Sequence, residues 1–344
     1  MRLATWNVRT MRTVLPETCG GSGCAQDLRK TSVIDTELTR LNITVSALQE
    51  TRLPDTGSIK EAHYTFFWVG KGQHDNREHG VGFAVRNDLL SCIETPHGIS
   101  ERIMVLRLSS NCGFITLISA YAPTLVSTPE VKDRFYDQLT QAIKAVPSSD
   151  HLHIMGDFNA RVGQDNIAWP DCLGNHGVGR LNENGQRLLE FCSNHQFCIT
   201  NTYFRGKSTH KVSWRHPRSG HWHQLDLILT RKKYLRYVLH TRSYQSADCD
   251  TDHSLVVTKL AIIRKRIHSS KPPGRKRIDL AQTRISEKVE SFKEQLCSEI
   301  LSWDQSVSLQ EEWERIKKSL SETAGKAFGY QKAKTENCFS FIEA

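Results

Sequence analysis

LHIMGDFNARVG, residues 152–163, sets a short apolar run against a sudden acid and amide, Asp157 and Asn159. An apolar run of a few residues that stops at turn formers reads as a buried strand, and the polar pair at its end as the strand's working edge. If the chain stays extended there, the two side chains project to the same side. The pattern recurs. Leu3–Trp6 runs into Asn7, Thr44–Gln49 into Glu50 and Ile115–Ala120 into Tyr121, while Gln224–Leu229 carries Asp226 inside the run. An acid within an apolar strand is costly unless paired, so Asp226 demands a partner.

Helices fall between these strands. Apolar stripes at helical spacing mark Lys30–Leu41, Pro129–Val146 and Asn184–Asn194. Strands outnumber helices and no internal repeat is present, which predicts a mixed α/β fold with a sheet core.

At 344 residues the chain has room for one large domain and an appendage. Its 38% hydrophobic and 24% charged residues exclude a mostly disordered chain. No run approaches the roughly 18 apolar residues of a membrane span, and MRLATWNVRTM lacks the apolar segment of a secretory signal, so neither membrane insertion nor export is expected. The net charge of +9 favours anionic partners such as nucleic acid. Ten cysteines are scattered along the chain, so reduced thiols are expected. Cys19 and Cys24 have no second pair at finger-like spacing, which argues against structural zinc.

The character changes after Leu260. Residues 264–277, RKRIHSSKPPGRKR, hold seven Lys or Arg, no acid and a Pro-Pro-Gly break, the composition of a linker or basic arm. Beyond them, Val289, Phe292, Leu296 and Ile300, then Trp313, Ile316 and Leu320, mark two amphipathic helices. The expected division is a catalytic domain over 1–262, a basic linker over 263–278 and a helical tail over 279–344.

Strands that end at one edge would gather Asn7, Glu50, Tyr121, Asp157, Asn159, Asp226, Asp252 and His253 into one cleft. No Ser or Cys nucleophile pairs obviously with His253, and there is no Walker-type phosphate loop. Carboxylates and amides are hard oxygen ligands that suit Mg²⁺ or Mn²⁺ rather than zinc. A metal, an acid to orient a histidine and another to handle a proton describe metal-assisted hydrolysis. Taken singly, each residue has a bland role: a turn for Asn7 or Asp157, a solvated charge for Glu50, core for Tyr121, a surface pair for Asp252 and His253. Their joint order decides between the readings.

That order, TWNVRT, LQETRL, AYAPT, GDFNARVG, HQLDLIL and DTDHSLVV, resembles the endonuclease/exonuclease/phosphatase superfamily, the DNase I-like fold. Within it, GRLNENGQRLLEFC followed by NTYF looks like the apurinic/apyrimidinic-type endonuclease domain of non-LTR (LINE-type) retrotransposons. The likeness covers about residues 1–262. It implies a four-layer α/β sandwich, two sheets face to face with helices outside, to which the C-terminal helices are an extension. It also implies a Mg²⁺- or Mn²⁺-dependent nickase of duplex DNA that leaves a 3′-hydroxyl and a 5′-phosphate. Glu50 would be the principal metal ligand, with Asn7 and Asp252 nearby. Asp226 would hold His253, Asp157 would handle the proton, and Tyr121 and Asn159 would donate to phosphate oxygens.

The segment 207–223, KSTHKVSWRHPRSGHWH, with Lys211, Ser213 and Arg215, reads as a hairpin entering a DNA groove, with Arg9 as a further DNA contact. A twisted edge hairpin is its bland reading. No reverse transcriptase motif follows, so a domesticated or truncated fragment is expected, with no evident protein partner and with the basic run directing it to the nucleus. Two other functions compete: a superfamily phosphatase or phosphodiesterase acting on a small or lipid phosphoester, and a catalytically silent DNA- or chromatin-binding protein.

Overall fold

A computed structural model describes residues 1–12, 29–262, 278–301, 303 and 309–330. The Cys19/Cys24 pair, the loop 14–26 and the basic run 264–277 fall outside the described residues. Two compact units result, Met1–Ile267 and His268–Ala344.

In the first unit the strands are β1 (Arg2–Asn7), β2 (Val45–Gln49), β3 (Thr56–Lys60), β4 (Tyr64–Val69), β5 (Val81–Arg86), β6 (His97–Ser100), β7 (Ile103–Ser110) and β8 (Gly113–Tyr121). They continue with β9 (His151–Asp157), β10 (Phe197–Ile199), β11 (Trp214–Arg215), β12 (Trp222–His223), β13 (Asp226–Arg231), β14 (Val238–Tyr244) and β15 (Leu255–Leu260). One sheet has the order β14-β15-β1-β2-β5-β4-β3, the other β10-β13-β9-β8-β7-β6, and β11-β12 form a separate hairpin. The helices α1 (Lys30–Arg40), α2 (Pro129–Ala145) and α3 (Glu183–His195) sit where the apolar stripes predict them.

The apolar clusters define the layers. Between the sheets, Leu3, Val45 and Phe83 of the first meet Leu106, Leu117, Met155 and Ile228 of the second. The odd-numbered neighbours of Ala4 and Trp6 thus face the other sheet, while Ala4, Trp6 and Leu48 pack outward against Ile34 and Leu38 of α1. On the far side, Ile118, Ile154 and Leu227 pack against Phe135 and Leu139 of α2 and Leu188 of α3. The fold is a four-layer α/β sandwich. Its central strands, β1, β2, β8, β9 and β13, are buried on both faces, which is why they read as near-continuous apolar runs rather than alternating ones.

Two parallel pairs fix where chemistry can sit. β1 runs parallel to β2 with Asn7 opposite Gln49, and β8 runs parallel to β9 with Tyr121 opposite Asp157. β13 is antiparallel to β9 and starts with Asp226 opposite Asp157. All these positions therefore lie at one pole of the sandwich. β9 can approach β8 this closely because a Cβ on Gly156 would stand 1.8 Å from the Ala120 carbonyl oxygen.

In the second unit, α4 (Ser286–Leu301) and α5 (Leu309–Phe328) are the two helices expected, with Phe292 against Phe328 at a ring distance of 5.2 Å. Among the described residues, no helix is long and apolar enough to cross a membrane.

Candidate functional site

Asn7, Glu50, Asp157, Asp226 and His253 converge at that pole, in and beneath a cavity of about 610 Å³ lined by Glu50, Tyr121, Asp157, Asn159, Asp252 and His253 among others. Asp226 is wholly buried at the cavity floor. Its Oδ2 lies 2.9 Å from His253 Nδ1, and on the other side of the imidazole Nε2 faces Asp157 Oδ2 at 3.9 Å. Asp226 thus has the partner that its apolar strand demands, while its Oδ1 is buried without a hydrogen bond.

Burial alone would lower the His253 pKa, but the charge and hydrogen bond of Asp226 outweigh it and raise it to about 9. Asp157 moves the other way from a surface carboxylate: burial, reinforced by Asp226, lifts it to about 7.

A second cluster forms around Glu50. Its Oε1 accepts from Asn7 Nδ2 at 3.0 Å and from the Tyr121 hydroxyl at 2.9 Å, and Arg52 pairs with Oε2 at 2.6 Å. Asn7 Nδ2 also donates to Asp157 Oδ2 at 3.1 Å, so one amide ties the two clusters together. Burial and then Glu50 hold the Tyr121 phenol far above its usual pKa, which keeps it a donor. Asp252 Oδ2 accepts from Trp214 Nε1 at 3.0 Å, and Arg9 Nε lies 3.6 Å from Oδ1.

The donor set of Glu50, Asp252 and Asn7 is all oxygen, as Mg²⁺ or Mn²⁺ prefers. Both carboxylates already face a guanidinium, Arg52 or Arg9, so each is held where a cation would meet it. Asp157, Asp226 and His253 also bring ligand atoms within 4.8 Å of one another. That trio is the poorer cation site, because Nδ1 of the imidazole is already engaged with Asp226 and a ring held positive between two acids has no lone pair to give.

Three expectations change in the structure. Asp157 and Asn159 do not share a face through extension: the strand ends at Asp157, Asn159 takes φ 47°, and its N–H donates to Asp157 Oδ1 at 3.0 Å. Its side-chain Nδ2 donates to the Ala122 carbonyl, and the Tyr121 hydroxyl to Glu50, so both donors serve protein acceptors first. Ser213 is not a surface contact. It is 1% exposed, and its Oγ accepts from Leu225 N and Asp226 N, which braces the start of β13. Lys211 lies outside the lining of this cavity and of its neighbour, whereas Arg9 lines both and Arg215 only the neighbour.

The neighbouring cavity, about 600 Å³, lies on the other side of Asp252 and His253, against Arg215, His216 and Trp222 of the β11-β12 hairpin. The histidine- and tryptophan-rich segment does form a hairpin, and Ser213 N and O bond to His223 and Ser254.

Other supporting residues gave no chemical signal in the sequence. Gln49 Nε2 donates to Ser119 Oγ at 3.2 Å and Gln49 Oε1 accepts from Thr5 Oγ1 at 3.0 Å, a buried polar bridge between the sheets just below the cleft. Asn182 caps α3 through Gly185 N and also accepts from Arg161 N, while Asn184 Nδ2 donates to Asn159 O at 3.0 Å. The LNENG motif therefore buttresses the turn after Asp157. Its glycine is required, since a Cβ there would meet the Arg161 carbonyl oxygen at 1.8 Å. Left-handed backbone at Arg9, Glu50, Arg52 and Asn159, none of them glycine, rings the same cleft.

A sequence profile of the endonuclease/exonuclease/phosphatase family matches residues 4–253. Craniofacial development protein 2 of Bos taurus is 30% identical over 274 residues, 79% of this chain and 43% of that protein. The protein of the same name from Tragulus javanicus is 29% identical over 274 residues, 79% of this chain and 44% of its own length. The chain thus spans less than half the length of these curated relatives. Among solved structures, the catalytic domain of Xenopus laevis APE2 superposes with a TM-score of 0.55 at 17% identity, covering 76% of this chain and 92% of that one. The endonuclease domain of TRAS1, a telomere-specific non-LTR retrotransposon, gives 0.50 at 15% identity, with 76% and 97% covered. At such identities the likeness establishes the shared fold.

Proposed function

Because the chain belongs to the endonuclease/exonuclease/phosphatase family, we propose that it is a divalent-metal-dependent endonuclease that nicks duplex DNA. The observation that carries this reading is the placement of His253 between Asp226 and Asp157, beside the oxygen ligands of Glu50 and Asp252, in an open cavity rimmed by Arg9, Arg52 and Arg161. Arginine side chains around acidic chemistry suit a polyanionic substrate.

Glu50, Asn7 and Asp252 would hold Mg²⁺ or Mn²⁺, which when bound supplies positive charge against the scissile phosphate. Asp226 fixes the His253 ring, so that Nε2 presents its proton toward the phosphate oxygens at the Asp157 side. Asp157, held by Asn7 Nδ2 and Asn159 N, takes the proton of the attacking water. The water oxygen bonds to phosphorus, the P–O3′ bond breaks, and the leaving O3′ takes a proton from solvent, so that a 5′-phosphate and a 3′-hydroxyl result. Tyr121 and Asn159 act through Glu50 and the turn after Asp157 rather than on phosphate directly.

Incubating the protein with supercoiled plasmid, with Mg²⁺ or with EDTA, tests the proposal. Open-circular product that needs Mg²⁺ and disappears in His253→Ala is the expected result. Undiminished nicking by His253→Ala, or turnover of small phosphoesters with no nicking, would reject it.

A further inference from the structure

The opposite pole of the sandwich carries a group of cations that the cleft does not use. β1 starts at Arg2, where Lys259 of β15 is its register partner, and ends at Asn7 in the cleft. Five strand steps separate the two ends, about 16 Å at roughly 3.3 Å per residue. A cavity of about 330 Å³ there is lined by Arg2, Asn42, Thr44, Arg86 and Lys259 among others. A second cavity of about 320 Å³ adjoins it, sharing Asn42 and Arg86 and adding His63 and Asn87.

The guanidinium groups are fixed by the protein itself. Arg2 Nη1 donates to the Leu41 carbonyl at 2.8 Å, and Arg86 donates to Asn42 Oδ1 at 2.8 Å and pairs with Asp88 at 2.9 Å. Among the described residues, Asp88 is the one acid in the lining of either cavity, and neither Arg2 nor Lys259 has an acidic partner. The field is felt locally: burial, then Lys259, Arg2 and Arg86, lower the pKa of the Met1 amine.

We propose that this pole is a second nucleic-acid site, which takes backbone phosphates on Arg2, Arg86 and Lys259. Held guanidinium forks match phosphate oxygens, and their rotamer entropy is already spent. Two cavities joined at Arg86 suit a chain of repeating anions better than a single one. In sequence, the positive charge also continues from here, because Ile262 lines the first cavity and residues 264–277 hold seven Lys or Arg and no acid. The shared chemistry is the phosphodiester backbone, offered by RNA or by a second segment of DNA. The site stands apart from the cleft, and its binding does not depend on which phosphoester the cleft cleaves.

Acetylation of Lys259 by an N-hydroxysuccinimide ester, read by peptide mass spectrometry on the full chain, tests it. Short single-stranded RNA, duplex DNA and poly-glutamate are the three additions. A several-fold fall in Lys259 labelling with RNA or with duplex DNA supports the site, and the better protector names the source. The variant Lys259→Gln/Arg86→Gln should then bind that nucleic acid with a salt slope flatter by about 0.7 per lost single-strand contact, or about 0.9 for duplex. Nicking, a property of the other pole, should be retained. Equal protection by poly-glutamate, labelling unaffected by both nucleic acids, or an unchanged salt slope in the variant would overturn the proposal.

Discussion

His153 stands on β9, four residues before Asp157, wholly buried and with neither ring nitrogen hydrogen-bonded. Burial, with a smaller push from His151, lowers its pKa from 6.5 to about 3. In the unfolded chain the ring is free to take a proton at its ordinary value. Below that value the unfolded state binds a proton that the folded state refuses, so stability falls as pH falls, by about 1.4 kcal/mol per unit, until the folded pKa is reached. Between about pH 7.5 and 4.5 the loss from this one group is about 2.7 kcal/mol, roughly a hundredfold in the folding equilibrium. His153→Leu removes the titration while nearly keeping the volume. Urea unfolding of wild type and variant near pH 7.5 and near pH 4.5, followed by tryptophan fluorescence, isolates the term, because every other titrating group is common to both proteins. The variant should match or exceed wild type at the higher pH, where an unpaired buried ring is a liability, and should gain on it by about 2–3 kcal/mol at the lower. Parallel losses in the two proteins would refute the reasoning and mean that His153 is protonated, or solvated, inside the fold.

Glu50→Gln should shift the Mg²⁺ concentration for half-maximal nicking upward by tenfold or more while duplex affinity in EDTA, read by fluorescence anisotropy, stays within about twofold. Ser213→Ala leaves the buried amides of Leu225 and Asp226 without an acceptor, so it should destabilise by about 1–3 kcal/mol per amide and lower nicking through Asp226, measurable as a urea midpoint and a plasmid rate. Neutralising the seven basic residues of 264–277 to Gln should weaken duplex binding alike on every sequence and flatten the salt slope, with cut-site preference kept; an unchanged slope leaves that run a linker or a targeting signal.

The parts of the molecule legible in the sequence are those with a local physical signal. The stripes over α1, α2 and α3 gave helix bounds within a residue or so, because each helix buries one face and tolerates little else there. Asp226 was legible as a paired acid for a similar reason: it interrupts an apolar run. Ser213, Gln49 and Ser119 were not. Their partners are 12, 44 and 71 positions away, and a hydroxyl or amide that satisfies a distant buried group looks in sequence like any loop residue. Nor could spacing foretell that Asn159 turns back at φ 47°. Asn and Asp adopt that region readily, and the deciding contact is the local N–H to Asp157 Oδ1.

The inward positions of the central strands explain why the chemistry sits at one pole. Along β1 they read Leu3, Thr5, Asn7; along β2, Val45, Ala47, Gln49; along β8, Leu117, Ser119, Tyr121; along β9, His153, Met155, Asp157. With the exception of His153, these positions are apolar where the sheets press together and turn polar over the last few residues of each strand, so the cleft is the open end of the same inter-sheet layer that forms the core. A site built this way is held by rigid strands on both sides rather than by loops. It also couples chemistry to folding. Removing His253 leaves Asp226 an uncompensated buried charge, a loss of about 3–5 kcal/mol, whereas replacing both with apolar residues of similar volume costs far less. On the proposed reading it is the hydrolytic chemistry, and not the fold, that calls for acid and histidine together.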